Sequence, residues 1–256
     1  MSSSKLDLLA IEDLPIVKPG DDLARLAIDG LARSRLQLMP RDVLVVEQKI
    51  ISKAEGRMVV LADVTPSARA KELACEVDKD PRLVELILSE TKRIVRSGPN
   101  VLIVEHRLGF VMANAGVDQS NVGAQDGIER ALLLPRDPDA SAEALRADLS
   151  SRFDVRIGVV INDSFGRAWR LGTVGVALGV AGLPALKDLR GRPDLLGRPL
   201  RVSISGFADE IAAAASLLMG QGDEGRPMVI VRGLAWHEPS SGVGALLRSS
   251  DEDLFR

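Results

Sequence analysis

Two short polar runs, each carrying a carboxylate and each following a β-like apolar stretch, constrain this chain most. They are Asn114-Ala-Gly-Val-Asp-Gln-Ser-Asn121 and Ile161-Asn-Asp-Ser-Phe-Gly-Arg-Ala-Trp-Arg170. Strands that feed such runs deliver oxygen ligands to one end of a sheet, so Asp118 and Asp163 are expected to converge. Held within about 4 Å, two carboxylates repel by roughly 4 kcal/mol at an effective dielectric of 20. A divalent cation between them reverses that sign, and hard cations prefer oxygen. The plainer reading of each run is a tight turn with Asx hydrogen bonds, or a helix cap at Asp163-Ser164. Both readings stand at this point.

A chain of 256 residues can bury a real core in one large domain or two small ones. With aromatics at 3% and no Tyr, that core has to rest on Val, Leu, Ile and Ala. A net charge of −3 argues against general nucleic-acid binding, so any anion site must be a local cluster. A single Cys75 excludes an internal disulfide, and two His with one Cys do not suit a zinc cluster. Cys75 lies in an Ala/Leu-rich helical pattern and is expected in the core. The opening Met1-Ser-Ser-Ser-Lys-Leu-Asp7 lacks the apolar region of a signal peptide, and no window suits a membrane span. A soluble, cytoplasmic protein is expected.

Asp21-Asp22 before Leu23, Leu26, Ala27 and Leu31 predicts a capped amphipathic helix. Val43 to Ile51 reads as one buried strand. Thr65-Pro66 opens a helix to about Val77 with Thr65 as N-cap, and Asp80-Pro81 opens one to about Ser89. Val101 to Glu105 and Gly109 to Ala113 form a hairpin, and Asp139 or Ser141 caps a helix to about Phe153. Arg156 to Ile161, Leu200 to Ser205 and Met228 to Val231 read as strands; Val174 to Val180 is apolar but undecided in type. Phe207, Ile211, Ala214, Ala215 and Leu218 mark a buried helix. Without regular βαβ alternation the fold class is α+β, with mixed or antiparallel sheets and packed helices. One domain over residues 1–240 and a polar tail over 241–256 are expected.

No P-loop and no G-x-G-x-x-G fingerprint occur, so a bound nucleotide would need metal, lysine and turn amides for its phosphates. Lys53, in Ile51-Ser-Lys-Ala-Glu-Gly-Arg57, is either a solvated lysine or a phosphate ligand. Arg167 and Arg170 offer guanidinium forks for carboxylate or phosphate, or simply surface ion pairs. Arg190, Arg192 and Arg198, interleaved with Asp188 and Asp194, read as a self-neutralising loop. Met219-Gly-Gln-Gly-Asp-Glu-Gly-Arg226 is a helix C-cap and turn, or a glycine lip over a phosphate chain with Gln221, Asp223 and Glu224 open to a cation. His106 and His237 have no ligand-spaced partner and receive no role.

Taken together, these segments resemble the coenzyme F-420 γ-glutamyl ligases in their stand-alone form. The matching runs are Ile51 to Arg57, Asn114 to Asn121, Leu133 to Ser141, Asn162 to Arg170, Asp188 to Asp194, Ala208 to Ala212 and Val231 to Gly233. They fall in order across nearly the whole chain. The resemblance implies an unusual α+β fold, an intertwined homodimer, and amide formation between L-glutamate and the carboxylate of a deazaflavin precursor. It implies GTP as co-substrate, an acyl-phosphate intermediate, two Mg²⁺ or Mn²⁺ ions and K⁺ as a further ion. By that resemblance Asp118 and Asp163 hold one metal, while Ser164 and Gln221 approach a second. Leu14, Pro15, Ile16, Val17, Gln48, Lys53, Asn121 and the loop Met219, Gly220, Gln221, Gly222, Asp223, Glu224, Gly225, Arg226 would contact GTP. Arg167 and Arg170 would hold the anionic precursor or glutamate. Three positions depart from the family pattern: Ser164 for Thr, Gln221 for Glu, and Gln48 for a small hydroxyl residue. The alternatives are a metal-dependent GTP phosphohydrolase, a non-catalytic nucleotide-binding module, and a glutamyl ligase with another carboxylate acceptor.

Overall fold

In the computed structural model, residues 5–122 and 126–253 are described. Residues 1–4, 123–125 and 254–256 lie outside them. Runs of Val, Leu and Ile build a five-stranded sheet in the order β1 (Asp7–Ala10), β12 (Met228–Arg232), β2 (Val43–Glu47), β8 (Gly158–Arg167) and β9 (Arg170–Ala181). Only β2 and β8 are parallel; the other pairs are antiparallel. The centre is apolar on both faces, with Val43 to Val46, Val159 to Ile161 and Met228 to Ile230 fully buried. Smaller sheets pair β3 (Met58–Val60) with β7 (Arg130–Leu132), and order β4 (Thr91–Gly98), β5 (Val101–His106) and β6 (Val111–Ala113). A last ribbon joins β10 (Lys187–Asp188) to β11 (Ile204–Ser205). Among the described residues six α-helices complete the fold: α1 (Leu23–Arg33), α2 (Gln48–Ala54), α3 (Ala68–Val77), α4 (Pro81–Ser89), α5 (Pro138–Phe153) and α6 (Phe207–Met219). The α+β class agrees with the sequence reading.

Several boundaries differ from expectation. The strand read over Val43 to Ile51 stops at Glu47, and α2 begins at Gln48. The parallel ladder ends there at Glu47↔Asn162, and Gln, Lys and Ala favour helix. Ser67, not Thr65, caps α3, its hydroxyl accepting from Ala70 N–H at 3.2 Å. Asp137 caps α5 with Pro138 in its first turn, because the Asp139 carboxylate is used elsewhere, on Val180 N–H (2.8 Å) and Val243 N–H (3.1 Å). Of Leu200 to Ser205 only Ile204–Ser205 pairs as strand. Cys75 is exposed rather than core: α3 buries Ala70, Leu73, Ala74 and Val77, and Cys75 lies off that stripe. The α6 helix is buried on one side only, with Leu217 85% exposed. Val243, in the segment read as tail, is buried against the main core.

The undecided run is β9, hairpinned to β8 so that Asp163 lies inside a strand, neither a turn nor a cap. Ile161 faces Gly179 and Asn162 faces Ala177, so Leu178 is an extra residue in β9. The bulge reverses the side-chain phase. A Cβ on Gly175 would meet Ala212 and Ser216 of α6, whereas one on Gly179 would meet Pro138 of α5. Two carboxylates secure the N–H groups around the bulge: Asp209 takes Ala177 N–H at 2.9 Å, and Asp139 takes Val180.

A buried charge cluster ties the small sheets to this frame. Glu90 accepts from Arg57 Nη2 (2.8 Å) and Arg107 Nε (2.9 Å), and the buried His106 Nε2 lies 3.3 Å away. Burial alone would raise the Glu90 carboxyl, but His106, Arg57 and Arg107 outweigh it and hold it at about 2. The stabilisation is therefore full above the ordinary carboxylate range and lost as pH falls through about 2. Glu90→Ala should cost about 3 kcal/mol in urea unfolding at pH 7, because Arg57 is left buried without its counter-charge.

Candidate active site

The parallel pair β2–β8 fixes one side of the site. Both strands run toward the same end of the sheet, so Glu47 and Asp163 emerge side by side, with Asn162 opposite Glu47. Asp118 arrives from the other side. Three successive left-handed residues, Asn114, Ala115 and Gly116, turn the chain after β6. Asn114 Oδ1 pins the turn to Leu102 N–H at 3.0 Å. Asp118 then makes a two-bond bridge to Leu132, N to O at 3.0 Å and back at 2.8 Å. Its carboxylate closes an Asx turn, accepting from Ser120 N–H (2.7 Å) and Ser120 hydroxyl (3.0 Å).

These elements open onto one cleft of about 980 Å³, and every residue named from the sequence for metal, nucleotide or substrate lines it. Asp118, Asp163 and Ser164 sit with Gln48 and Lys53 of α2, Asn121, and Arg167 and Arg170 of the β8–β9 hairpin. Leu14 to Val17 form one wall and Met219 to Arg226 another. In the glycine lip Gly220 has φ 80°, and the Glu224 carboxylate folds back to accept Gly222 N–H at 2.8 Å. Asn121 Nδ2 reaches across the cleft to Gly222 O at 3.4 Å.

Two residues in the floor were missed by the sequence reading: Glu47 and Lys49, both placed here by the unforeseen β2–α2 junction. Lys49 Nζ lies 2.9 Å from Asp118 Oδ2 and 2.8 Å from Ser120 Oγ. One helical turn on, Lys53 Nζ donates to Asn121 O at 2.7 Å. The i, i+4 spacing of two lysines just after an apolar strand was the available signal.

The electrostatics of the floor are those of crowded, partly buried carboxylates. Burial pushes the Asp163 carboxyl up to about 7, with Asp118 and Glu47 adding like charge; Ser164 N–H and Lys49 offset only part of this. Burial also raises Glu47 and lowers Lys53. Asp118 differs: burial works to raise it, but Lys49 and Ser120 outweigh that and hold it below the usual range. Among the described residues no group of three His, Cys, Asp or Glu side chains is arranged to hold a metal. The donors that the resemblance assigns to the first ion are the Asp118 and Asp163 carboxylates, with the Ser164 hydroxyl and the Glu47 carboxylate in the same cleft, all oxygen. That set fits a Mg²⁺-like ion, which binds through one or two carboxylates and takes its other ligands from phosphates and water.

Comparison with known proteins gives the family. The family described as F420-0:Gamma-glutamyl ligase matches residues 12–233. The chain belongs to this family. It is 46% identical to the "Coenzyme F420:L-glutamate ligase" of Methanothermobacter thermautotrophicus, over 98% of this chain and 99% of that protein. The protein of the same name from Methanopyrus kandleri is also 46% identical, again over 98% and 99%. That from Archaeoglobus fulgidus is 44% identical over 98% and 97%. The ligase family thus spans the whole cleft, from the Leu14 wall to the glycine lip. No described helix is long and apolar enough to cross a membrane.

Proposed function

We propose that the chain is a GTP-dependent ligase that joins L-glutamate to the carboxylate of a deazaflavin coenzyme F420 precursor. The observation that carries this reading is the convergence of Asp118 and Asp163, distant in sequence, on one cleft whose other walls are the segments that the resemblance assigns to the nucleotide.

A bare carboxylate does not form an amide usefully, because oxide is a poor leaving group. In the proposed sequence an oxygen of the precursor carboxylate attacks the γ-phosphorus of GTP, and GDP departs with the bridging oxygen. The α-amine of L-glutamate then attacks the acyl carbon, phosphate leaves, and the amine gives up a proton. Asp118, Asp163 and Ser164 would hold a divalent ion, with Gln221 toward a second; such ions neutralise charge on the transferring phosphoryl group. Lys53 adds a compact positive charge toward the phosphates, and the glycine lip brings backbone close to them. Arg167 and Arg170, both exposed on the cleft side, suit the carboxylates of precursor or glutamate. Leu14 to Val17 give the nucleotide an apolar wall.

The test is mass spectrometry of the deazaflavin precursor incubated with GTP, Mn²⁺ or Mg²⁺, and L-glutamate. Addition of one or more glutamyl units that depends on GTP supports the reading. Phosphate release from GTP with no amide product would replace it by a phosphohydrolase. A homodimer belongs to the same proposal. Leu171, Leu195, Leu196 and Val202 are each more than 80% exposed, along the β8–β9 hairpin and the β10–β11 excursion. Leu196→Glu should shift a dimer toward monomer in sedimentation; a monomeric parent protein would end this part of the proposal.

A further inference from the structure

Lys49 is the residue of the cleft with the most specific contacts and no assigned part in the chemistry. Its ammonium sits in a cup made only of oxygens: Asp118 Oδ2 at 2.9 Å, Ser120 Oγ at 2.8 Å and Ser120 O at 3.5 Å. Its side chain is only 16% exposed, so water does little to screen it. The α2 helix aims it there. Lys49 and Lys53 project from one face, and each grips the 118–121 loop, Lys49 at its start and Lys53 at Asn121 O.

An oxygen cup that suits an ammonium also suits a hard cation. Both cannot use the same Asp118 oxygen, since a dication and an ammonium at bonding distance repel strongly in a poorly hydrated cleft. The flexible lysine stem can instead swing its charge toward an anion, whereas a carboxylate fixed by an Asx turn and a β-bridge cannot follow.

We propose that Lys49 is a positioning residue that serves as the built-in counter-ion of Asp118 and hands this carboxylate to the divalent cation when the triphosphate arrives. In the cation-free protein Lys49 holds Asp118 and Ser120 in place. On nucleotide binding the ammonium turns to the phosphates, and the dication takes its place on Asp118. Cation and nucleotide binding are thereby coupled: each is weak alone because the lysine must be displaced, and each strengthens the other by the same factor. This inference rests on the metal- and nucleotide-binding reading above.

The test is Mn²⁺ titration by electron paramagnetic resonance, with and without a non-hydrolysable GTP analogue. Wild type is compared with Lys49→Met, Lys49→Gln and Lys49→Arg. Both neutral variants should bind Mn²⁺ at least about tenfold more tightly than wild type without nucleotide, because no ammonium competes. The ratio of Mn²⁺ affinities with and without the analogue should shrink by a similar factor, and Lys49→Arg should restore it. Two neutral variants guard against one that fails to fold, checked by thermal melts in chelator. Unchanged or weaker Mn²⁺ binding in the folded neutral variants overturns the hand-over while leaving the metal reading intact. No Mn²⁺ binding by wild type under either condition overturns the metal reading, and the hand-over with it.

Discussion

Asp118→Asn abolishes ligation while leaving the fold in place. The loss expected is at least about a thousandfold in turnover, since each 1.4 kcal/mol of lost transition-state stabilisation is a factor of ten and cation binding supplies several. Nothing comparable is lost from stability. The strand-like bonds that fix residue 118 run through its backbone to Leu132, and the Asn amide oxygen can still accept from Ser120. The change does remove a 2.9 Å contact to Lys49, whose ammonium keeps Ser120 Oγ at 2.8 Å and Ser120 O at 3.5 Å. Steady-state product formation by mass spectrometry, beside a thermal melt, separates the two effects. A variant that loses activity only because it unfolds would return Asp118 to a structural role.

Asp163→Asn is expected to show the opposite pairing, an inactive protein that is more stable. Burial drives the Asp163 carboxyl from its ordinary 3.8 up to about 7. Between those values the folded protein binds a proton that the unfolded chain does not, so this residue's contribution falls as pH rises through the window. Above about pH 7 the cation-free protein carries the full cost of an ionised, poorly hydrated Asp163. A neutral amide removes it. Because the shift spans roughly three pKa units at 1.36 kcal/mol each, and water at the cleft mouth screens part of it, a gain of about 2 to 4 kcal/mol at pH 8 follows. For a chain of this size that is roughly 5 to 10 °C in Tm. The advantage should disappear near pH 4, where both side chains are neutral. Melts of the two proteins in chelator across pH 4 to 8 provide the comparison, and a pH-independent difference would contradict the assignment. The instability is what the proposed cation site would relieve: Asp118, Asp163 and Glu47 crowd negative charge into one floor.

Much of the cleft was legible because the chemistry sat in compact runs. The 114–121 turn, the 161–170 segment and the 219–226 glycines each announce themselves by small polar residues next to apolar strands, and each lines the cleft. What sequence periodicity could not resolve was where one element becomes another. Val43 to Ile51 is apolar at both ends and so reads as a single strand, and only the end of the ladder at Asn162 shows that Gln48 starts a helix. That misplaced junction hid Lys49 and Glu47, because residues inside one continuous buried strand are not expected at a cleft that opens where the strand ends. The β8–β9 hairpin was hidden for a related reason. Its outer half carries Asp163, Arg167 and Arg170, whose polarity reads as loop, and its bulge at Leu178 breaks the alternation that would mark β9. The β1 strand is held by its antiparallel pairing with β12, a long-range partner that no local pattern reveals. Cys75 was misplaced by composition: an Ala/Leu-rich helix need not bury every small residue, and α3 turns this one to solvent.

The central claim is that this cleft activates a carboxylate by transferring a phosphoryl group to it before the amine attacks. Isotope transfer reads that event directly. With the precursor carboxylate labelled in ¹⁸O, a single turnover with GTP, Mn²⁺ and L-glutamate should move one labelled oxygen into the released inorganic phosphate, read by ³¹P resonance or mass spectrometry. Unlabelled phosphate accompanying the amide product would contradict the account, because no acyl phosphate could then have formed.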